Sequence, residues 1–172
     1  LDVVAKLQDH TCMCIMGMKD NNDLDYVYNE MMIEVDKGFT GFPFGLKGMI
    51  DNMFIDKANK VIRINDLKTT NRTIADFPET VNFYNYWMQA AIYMRLCRSL
   101  VHNMKDEYKD YEFIFSFVVI DRYSQIYVFE VSEETMTNWE IDLQDKLKEA
   151  KYHYESRDYS LPYRFVTSQV KL

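Results

Sequence analysis

Hydrophobic and polar positions along this chain change period several times, and each change marks an element. Between Leu1 and Met18, the residues Val3, Val4, Leu7, Met13, Ile15 and Met16 recur at loosely helical spacing, which predicts an opening helix that ends at Gly17. Tyr26 to Asp36 reads as a strand, with Tyr28, Met32 and Val35 set among polar neighbours. Gly38 to Gly45 turns the chain back, since its glycines permit positive φ and Pro43 lacks a donor; Phe39, Phe42 and Phe44 within it are expected to plug the core. Leu46 to Asp56 and Lys60 to Lys68 are then two strands of a β-hairpin, joined by the polar link Lys57-Ala58-Asn59. Pro78-Glu79-Thr80 starts a helix, and Phe83, Trp87, Ala90, Ala91, Met94 and Leu96 carry it as one long element to about Val101. The apolar run Glu112 to Ile120 predicts a buried strand, Asp121 to Ser124 a turn, and Gln125 to Val131 the next strand. Ser132 caps a last helix with Glu133 and Glu134 in its first turn, running to about Tyr154, and Ser156 to Leu172 reads as loop and tail.

The order is helix, three strands, helix, two strands, helix. Its first six elements form an αβββαβ core. We expect an α/β (α+β) fold, a mixed central sheet flanked by helices, in a single domain. A chain of 172 residues suits one substantial core, and 48% hydrophobic content with 15% aromatic excludes disorder. No apolar run approaches the roughly 20 residues that cross a bilayer, and no basic-plus-apolar leader opens the chain, so the expectation is a soluble, cytoplasmic protein with no membrane partner. The chain opens on Leu1 rather than Met, so its ends are not taken as those of the natural protein. Cys12, Cys14 and Cys97 are too few and too uneven for a disulfide framework, and favour reduced thiols that pack as small apolar groups.

Candidate chemistry gathers in the hairpin. Asp51 lies near the middle of its first strand, and Asp66 and Lys68 emerge on one side of the second while Leu67 points to the other. Two carboxylates suit a hard divalent ion such as Mg²⁺, which keeps coordination positions for water and phosphate oxygens. Lys68 beside them could position an attacking water and balance developing charge. The bland alternative is a same-face ion pair worth less than about 1 kcal/mol. Gln89 and Tyr93, four apart, share a helix face. Lys146, Lys148 and Lys151 in the last helix read as a solvated stripe. The net charge of -7 runs against tight nonspecific DNA binding, which comes mainly from Lys and Arg neutralising phosphates.

Taken together, Gly48-Met49-Ile50-Asp51, then Asp66-Leu67-Lys68-Thr69-Thr70, then Gln89-Ala90-Ala91-Ile92-Tyr93 resembles the PD-(D/E)XK nuclease superfamily, and within it the RecB-like and RecE (exonuclease VIII)-like exonucleases. The resemblance implies a restriction-endonuclease-like core and a Mg²⁺- or Mn²⁺-dependent deoxyribonuclease serving phage-type recombination or DNA processing. Asp51, Asp66, the Leu67 carbonyl and a first-strand acid would hold the metal. Glu30 fits that acid's separation better than Glu34, and His10 is a further candidate because some relatives carry a histidine on their first helix. Lys68 would orient the water, with Gln89 and Tyr93 facing the cleft. DNA is the implied partner, along with a homo-oligomer and a single-strand annealing recombinase, in a bacterial host cytoplasm if the chain is phage-encoded. Some RecB-like relatives hold a four-cysteine iron–sulfur cluster, which three cysteines do not supply. Two alternatives stay open: an inactive DNA-binding or assembly module on the same fold, and a structure-specific endonuclease of the same chemistry.

Overall fold

A computed structural model describes residues 24–37, 41–104 and 108–167. The expected opening helix, with His10, Cys12 and Cys14, and Phe39 of the turn lie outside the described residues. Among the described residues, five strands form one sheet in the order β1 (Leu24–Val35), β2 (Leu46–Asp56), β3 (Val61–Thr70), β4 (Glu112–Asp121), β5 (Ile126–Val131). All neighbours are antiparallel except β3 and β4, which are parallel. The fold is α+β with a mixed sheet and flanking helices, consistent with a restriction-endonuclease-like core.

The β2–β3 and β4–β5 hairpins are each closed by an aspartate. Asp56 Oδ1 accepts from the Asn59 backbone N–H at 3.0 Å and its Oδ2 from Asn59 Nδ2 at 2.8 Å, while Lys60 completes the turn at φ 53°. Asp121 Oδ1 accepts from the Tyr123 and Gln125 backbone N–H groups at 2.8 and 3.0 Å, with Ser124 at φ 61°. These are turns in which a short acid replaces a backbone acceptor.

A parallel pair needs a crossover, and helices supply it. The expected single helix is in fact a 3₁₀ turn (Ile74–Asp76), a short helix α1 (Phe77–Phe83) and a longer α2 (Tyr86–Met104). The break falls at Tyr84-Asn85, where Asn85 takes φ 55° and its Oδ1 accepts from Trp87 Nε1 at 3.2 Å. Asparagine tolerates this left-handed conformation because its side chain can bond locally, and apolar periodicity does not register the interruption. α3 (Glu133–Ser156) starts as expected, with Ser132 Oγ accepting from the Thr135 N–H at 3.2 Å, and ends on Arg157 at φ 57°. The segment expected to be loop also holds a four-residue helix, α4 (Tyr163–Val166).

One core lies between the sheet and α1 and α2, joining Ile33, Ile50, Met53, Ile62, Ile64, Phe115, Phe117 and Val119 to Phe77, Ala90, Met94, Leu96 and Cys97. Burial pushes the Cys97 thiol up to about 12, so it stays protonated and packs as an apolar group. α3 lies chiefly on α2, where Ala91, Leu143 and Leu147 form a second cluster packed by Phe42 and Phe44. Those two phenylalanines are half-buried and cover the edge of this cluster, so they meet the expectation of core plugs only in part. Lys146, Lys148 and Lys151 pair along α3 with Glu149, Asp145 and Glu155 on the solvated side. No helix among the described residues is long and apolar enough to cross a membrane.

Candidate active site

Register and pleat disagree at one point in the sheet. On β1, Tyr28 and Met31 both pack on the core, and on β2 so do Ile50 and Met53, although residues three apart on a regular strand face opposite ways. The pairing itself does not slip, running from Tyr28↔Met53 and Asn29↔Asn52 to Met31↔Ile50. The switch therefore falls in both strands at the facing residues Glu30 and Asp51, and Glu30 adopts φ 49°. Such a conformation costs on the order of 1–2 kcal/mol for a residue with a Cβ. It re-aims side chains in the way a bulge does, at the position from which the site is built. Below this point the side chains of Asn29, Asn52 and Asn65 link the three strands, with Asn52 Nδ2 donating to Asn29 Oδ1 at 2.9 Å and Asn65 Nδ2 to Asn52 Oδ1 at 2.8 Å.

β2 and β3 part at the same level. Their ladder runs from Asp56↔Val61 to Asn52↔Asn65 and ends there, one residue short of Asp51 and Asp66. There the half-buried Asp51 takes over a backbone role, its Oδ2 accepting from the Leu67 N–H at 2.7 Å. β3 continues beside β4 alone, through Asp66↔Phe117 and Lys68↔Val119.

Asp66 is completely buried, and its neighbour on the same face is Lys68, with Nζ 2.5 Å from Asp66 Oδ2. Gln89 on α2 closes the set. Its Nε2 donates to Asp66 Oδ1 at 3.1 Å and to the Tyr93 hydroxyl at 2.9 Å, and its Oε1 accepts from Lys68 Nζ at 2.9 Å. The Lys68 ammonium also sits 4.6 Å from the centre of the Tyr86 ring, a cation–π contact. Gly48 lets α2 come this close: a Cβ there would stand 2.8 Å from Tyr93 Cε1 and 3.0 Å from Leu96 Cδ1. Burial raises the Asp66 carboxyl from 3.8 to about 6, with Lys68 opposing the shift by hydrogen bond and charge and Asp51 adding to it.

The sequence-derived set divides accordingly. Asp66, Lys68, Gln89 and Tyr93 form one bonded network, and Asp51 is tied to it through the Leu67 backbone. Glu30 is in register with Asp51 but exposed, and Glu34, facing Lys47, is exposed farther along β1. Among the described residues no three His, Cys, Asp or Glu side chains converge as a metal-holding group. Two carboxylates still fit a hard cation, since Mg²⁺ commonly takes one or two and completes its shell with water and phosphate. Asp66 Oδ2 fits best: it is buried and, apart from the Lys68 charge, receives no well-directed hydrogen bond. Tyr86 and the three asparagines escaped the sequence reading, because a residue's place beside a site made by distant segments leaves no local pattern.

No protein-family model matches the chain, and no curated protein is similar to it in sequence. Among solved structures it is similar to SSO0001, with 20% identity and a TM-score of 0.40 over 81% of this chain and 59% of that one. It is also similar to a protein from Eubacterium rectale provisionally named an exonuclease, with 16% identity and a TM-score of 0.41 over 73% of this chain and 45% of that one. The chain spans less than two thirds of the length of each. Likenesses this distant carry no argument about function, which has to come from the site.

Proposed function

We propose that this domain is a metal-dependent nuclease hydrolysing DNA phosphodiester bonds, in finer terms a RecE-like exonuclease of the PD-(D/E)XK type. The observation that carries the proposal is the half-buried Lys68–Gln89–Tyr93 network around the buried Asp66, which joins β3 to α2 beside Asp51 where β2 and β3 part. A network that orients Lys68 and Gln89 around a buried carboxylate held near pKa 6, and still leaves its Oδ2 without a well-directed hydrogen bond, is expensive to keep for packing alone.

Asp51 and Asp66 would hold Mg²⁺ or Mn²⁺ together with the Leu67 carbonyl, and Glu30 is the acid best placed by register to join them. Such an ion supplies Lewis-acid neutralisation of phosphate charge and a lower pKa for water. Gln89 fixes the Lys68 side chain, and Tyr93 fixes Gln89. An ammonium has three N–H groups, and with Asp66 and Gln89 served, one remains for a water or a phosphate oxygen. Lys68 orients the attacking water and balances the charge that grows on the phosphoryl oxygens. The water oxygen bonds to phosphorus, the bond to the 3′ oxygen breaks, and the products are a 5′-phosphate and a 3′-hydroxyl.

The test is digestion of end-labelled linear duplex with and without Mg²⁺ or Mn²⁺. Cleavage should need the ion and should vanish in Asp66→Ala and Lys68→Ala; metal-dependent cleavage that survives both changes refutes the site. Circular duplex distinguishes an exonuclease, which needs an end, from an endonuclease. The exposure of Glu30, which stands clear of the Asp66 network, favours a second reading, a DNA-binding module on the same fold without catalysis. Calorimetric titration with Mn²⁺ separates the two, since the module would show no binding.

A further inference from the structure

Phe83 and Tyr84 are 70% and 60% exposed, at the break between α1 and α2. Large apolar side chains so open to water on a rigid turn call for an occupant. The turn is rigid because the Tyr84 N–H donates to the Thr80 carbonyl at 3.0 Å, the Asn85 N–H to Asn82 at 3.2 Å and the Met88 N–H to Asn85 at 3.0 Å. From it a file of rings leads inward. Phe83 meets Tyr84 edge to face at 4.9 Å, and Tyr84 stacks on Tyr86 at 5.6 Å and 23°. Tyr86 is anchored against Phe77 and Phe117 of the core and carries the Lys68 ammonium 4.6 Å from its ring centre.

We propose that Phe83 and Tyr84 form a stacking platform for an unpaired nucleobase of the strand whose phosphate is bound at Lys68. The inference rests on the nuclease reading and adds a base-binding position to it. The file ends at the ammonium, so a ligand lying along it meets flat apolar faces outside and a cation inside, the order in which a nucleotide presents its base and its phosphate. The platform does not select among bases, since every base offers a π face and neither ring offers the paired donors and acceptors that read an edge. It favours a single-stranded or frayed end over an intact duplex, whose bases are already stacked on one another.

The test is fluorescence anisotropy with a labelled short oligothymidylate and with an abasic strand of the same length, in Ca²⁺. Replacing both rings (Phe83→Ala with Tyr84→Ala) should weaken oligothymidylate binding by roughly tenfold, the scale of losing a base–aromatic stack, and leave the weaker abasic binding unchanged. The pair Phe83→Trp with Tyr84→Trp should restore it. Melting curves confirm folding, which both pairs should retain because these rings lie outside the core. Equal binding by wild type and the alanine pair overturns the platform, as does an equal loss on both strands or no binding by wild type. Cleavage assays on the same proteins keep the two ideas apart. Cleavage without ring-dependent binding removes the platform alone, and ring-dependent binding without cleavage removes the nuclease reading alone.

Discussion

Asp66 is pulled two ways, by a buried site that disfavours its charge and a lysine that favours it, and burial prevails. Its carboxyl, raised from 3.8 to about 6, binds a proton more tightly in the folded chain than in the unfolded one. The stability this gives metal-free protein is therefore complete below about pH 4 and lost as the pH rises through 6, by about 3 kcal/mol. Asp66→Asn does not titrate. In chelator, its stability relative to wild type should improve by about that amount between pH 4 and pH 8, as read by urea denaturation; a constant difference contradicts the burial argument. Lys68→Ala removes the opposing charge and so pushes the Asp66 carboxyl higher. Its cost should be larger at pH 8 than at pH 5, where the acid can escape by protonation, with about 3 kcal/mol the scale for breaking a buried pair.

At the scale of elements, two backbone positions set how α2 meets the sheet. Gly48→Ala places a methyl against the Tyr93 ring, which must then move off α2's contact with β2 and take Gln89 with it. The expected cost is about 1–3 kcal/mol in thermal denaturation, the range for overpacking, with a fall in cleavage beyond what the loss of folded protein explains. Asn85→Ala keeps a Cβ in the left-handed turn but loses the bond from Trp87 and the local side-chain bonding that offsets the strain, for a loss of about 1–2 kcal/mol; Asn85→Gly, which has no Cβ to strain, should cost less. The strand ranges were readable because alternation and turn residues are local signals, and Leu46–Asp56 runs as expected. The pleat switch at Glu30 and Asp51 was not, because two strands exchange faces together there without a slip in register. Only the neighbouring strand reveals it.

Over the whole molecule, the charge of -7 means that attraction to DNA must be local. If two acids and a cation form the contact with phosphate, affinity depends on the ion. Binding of duplex by the Lys68→Ala protein should weaken roughly tenfold when chelator replaces Ca²⁺, measured by anisotropy at constant ionic strength. Ion-independent binding points to basic surface elsewhere. The α3 lysines are poor candidates, since Lys146, Lys148 and Lys151 already have acidic neighbours on their own helix.

The sequence by itself determined, among the described residues, three strands, a helical crossover, two strands and a last helix in that order, and the chemical identities at Asp51, Asp66, Lys68, Gln89 and Tyr93. These follow from periodicity, turn residues and spacing, which act over a few residues at a time. Tertiary structure alone decided that Asp66 is fully buried, that Gln89 on α2 bonds both members of the Asp66–Lys68 pair, that Asp51 answers the Leu67 N–H where the ladder ends, and that Tyr86 lies beneath the ammonium. Each depends on how closely a helix approaches a sheet and where two strands separate. Those distances are set by packing between segments far apart in the chain, and no local pattern encodes them.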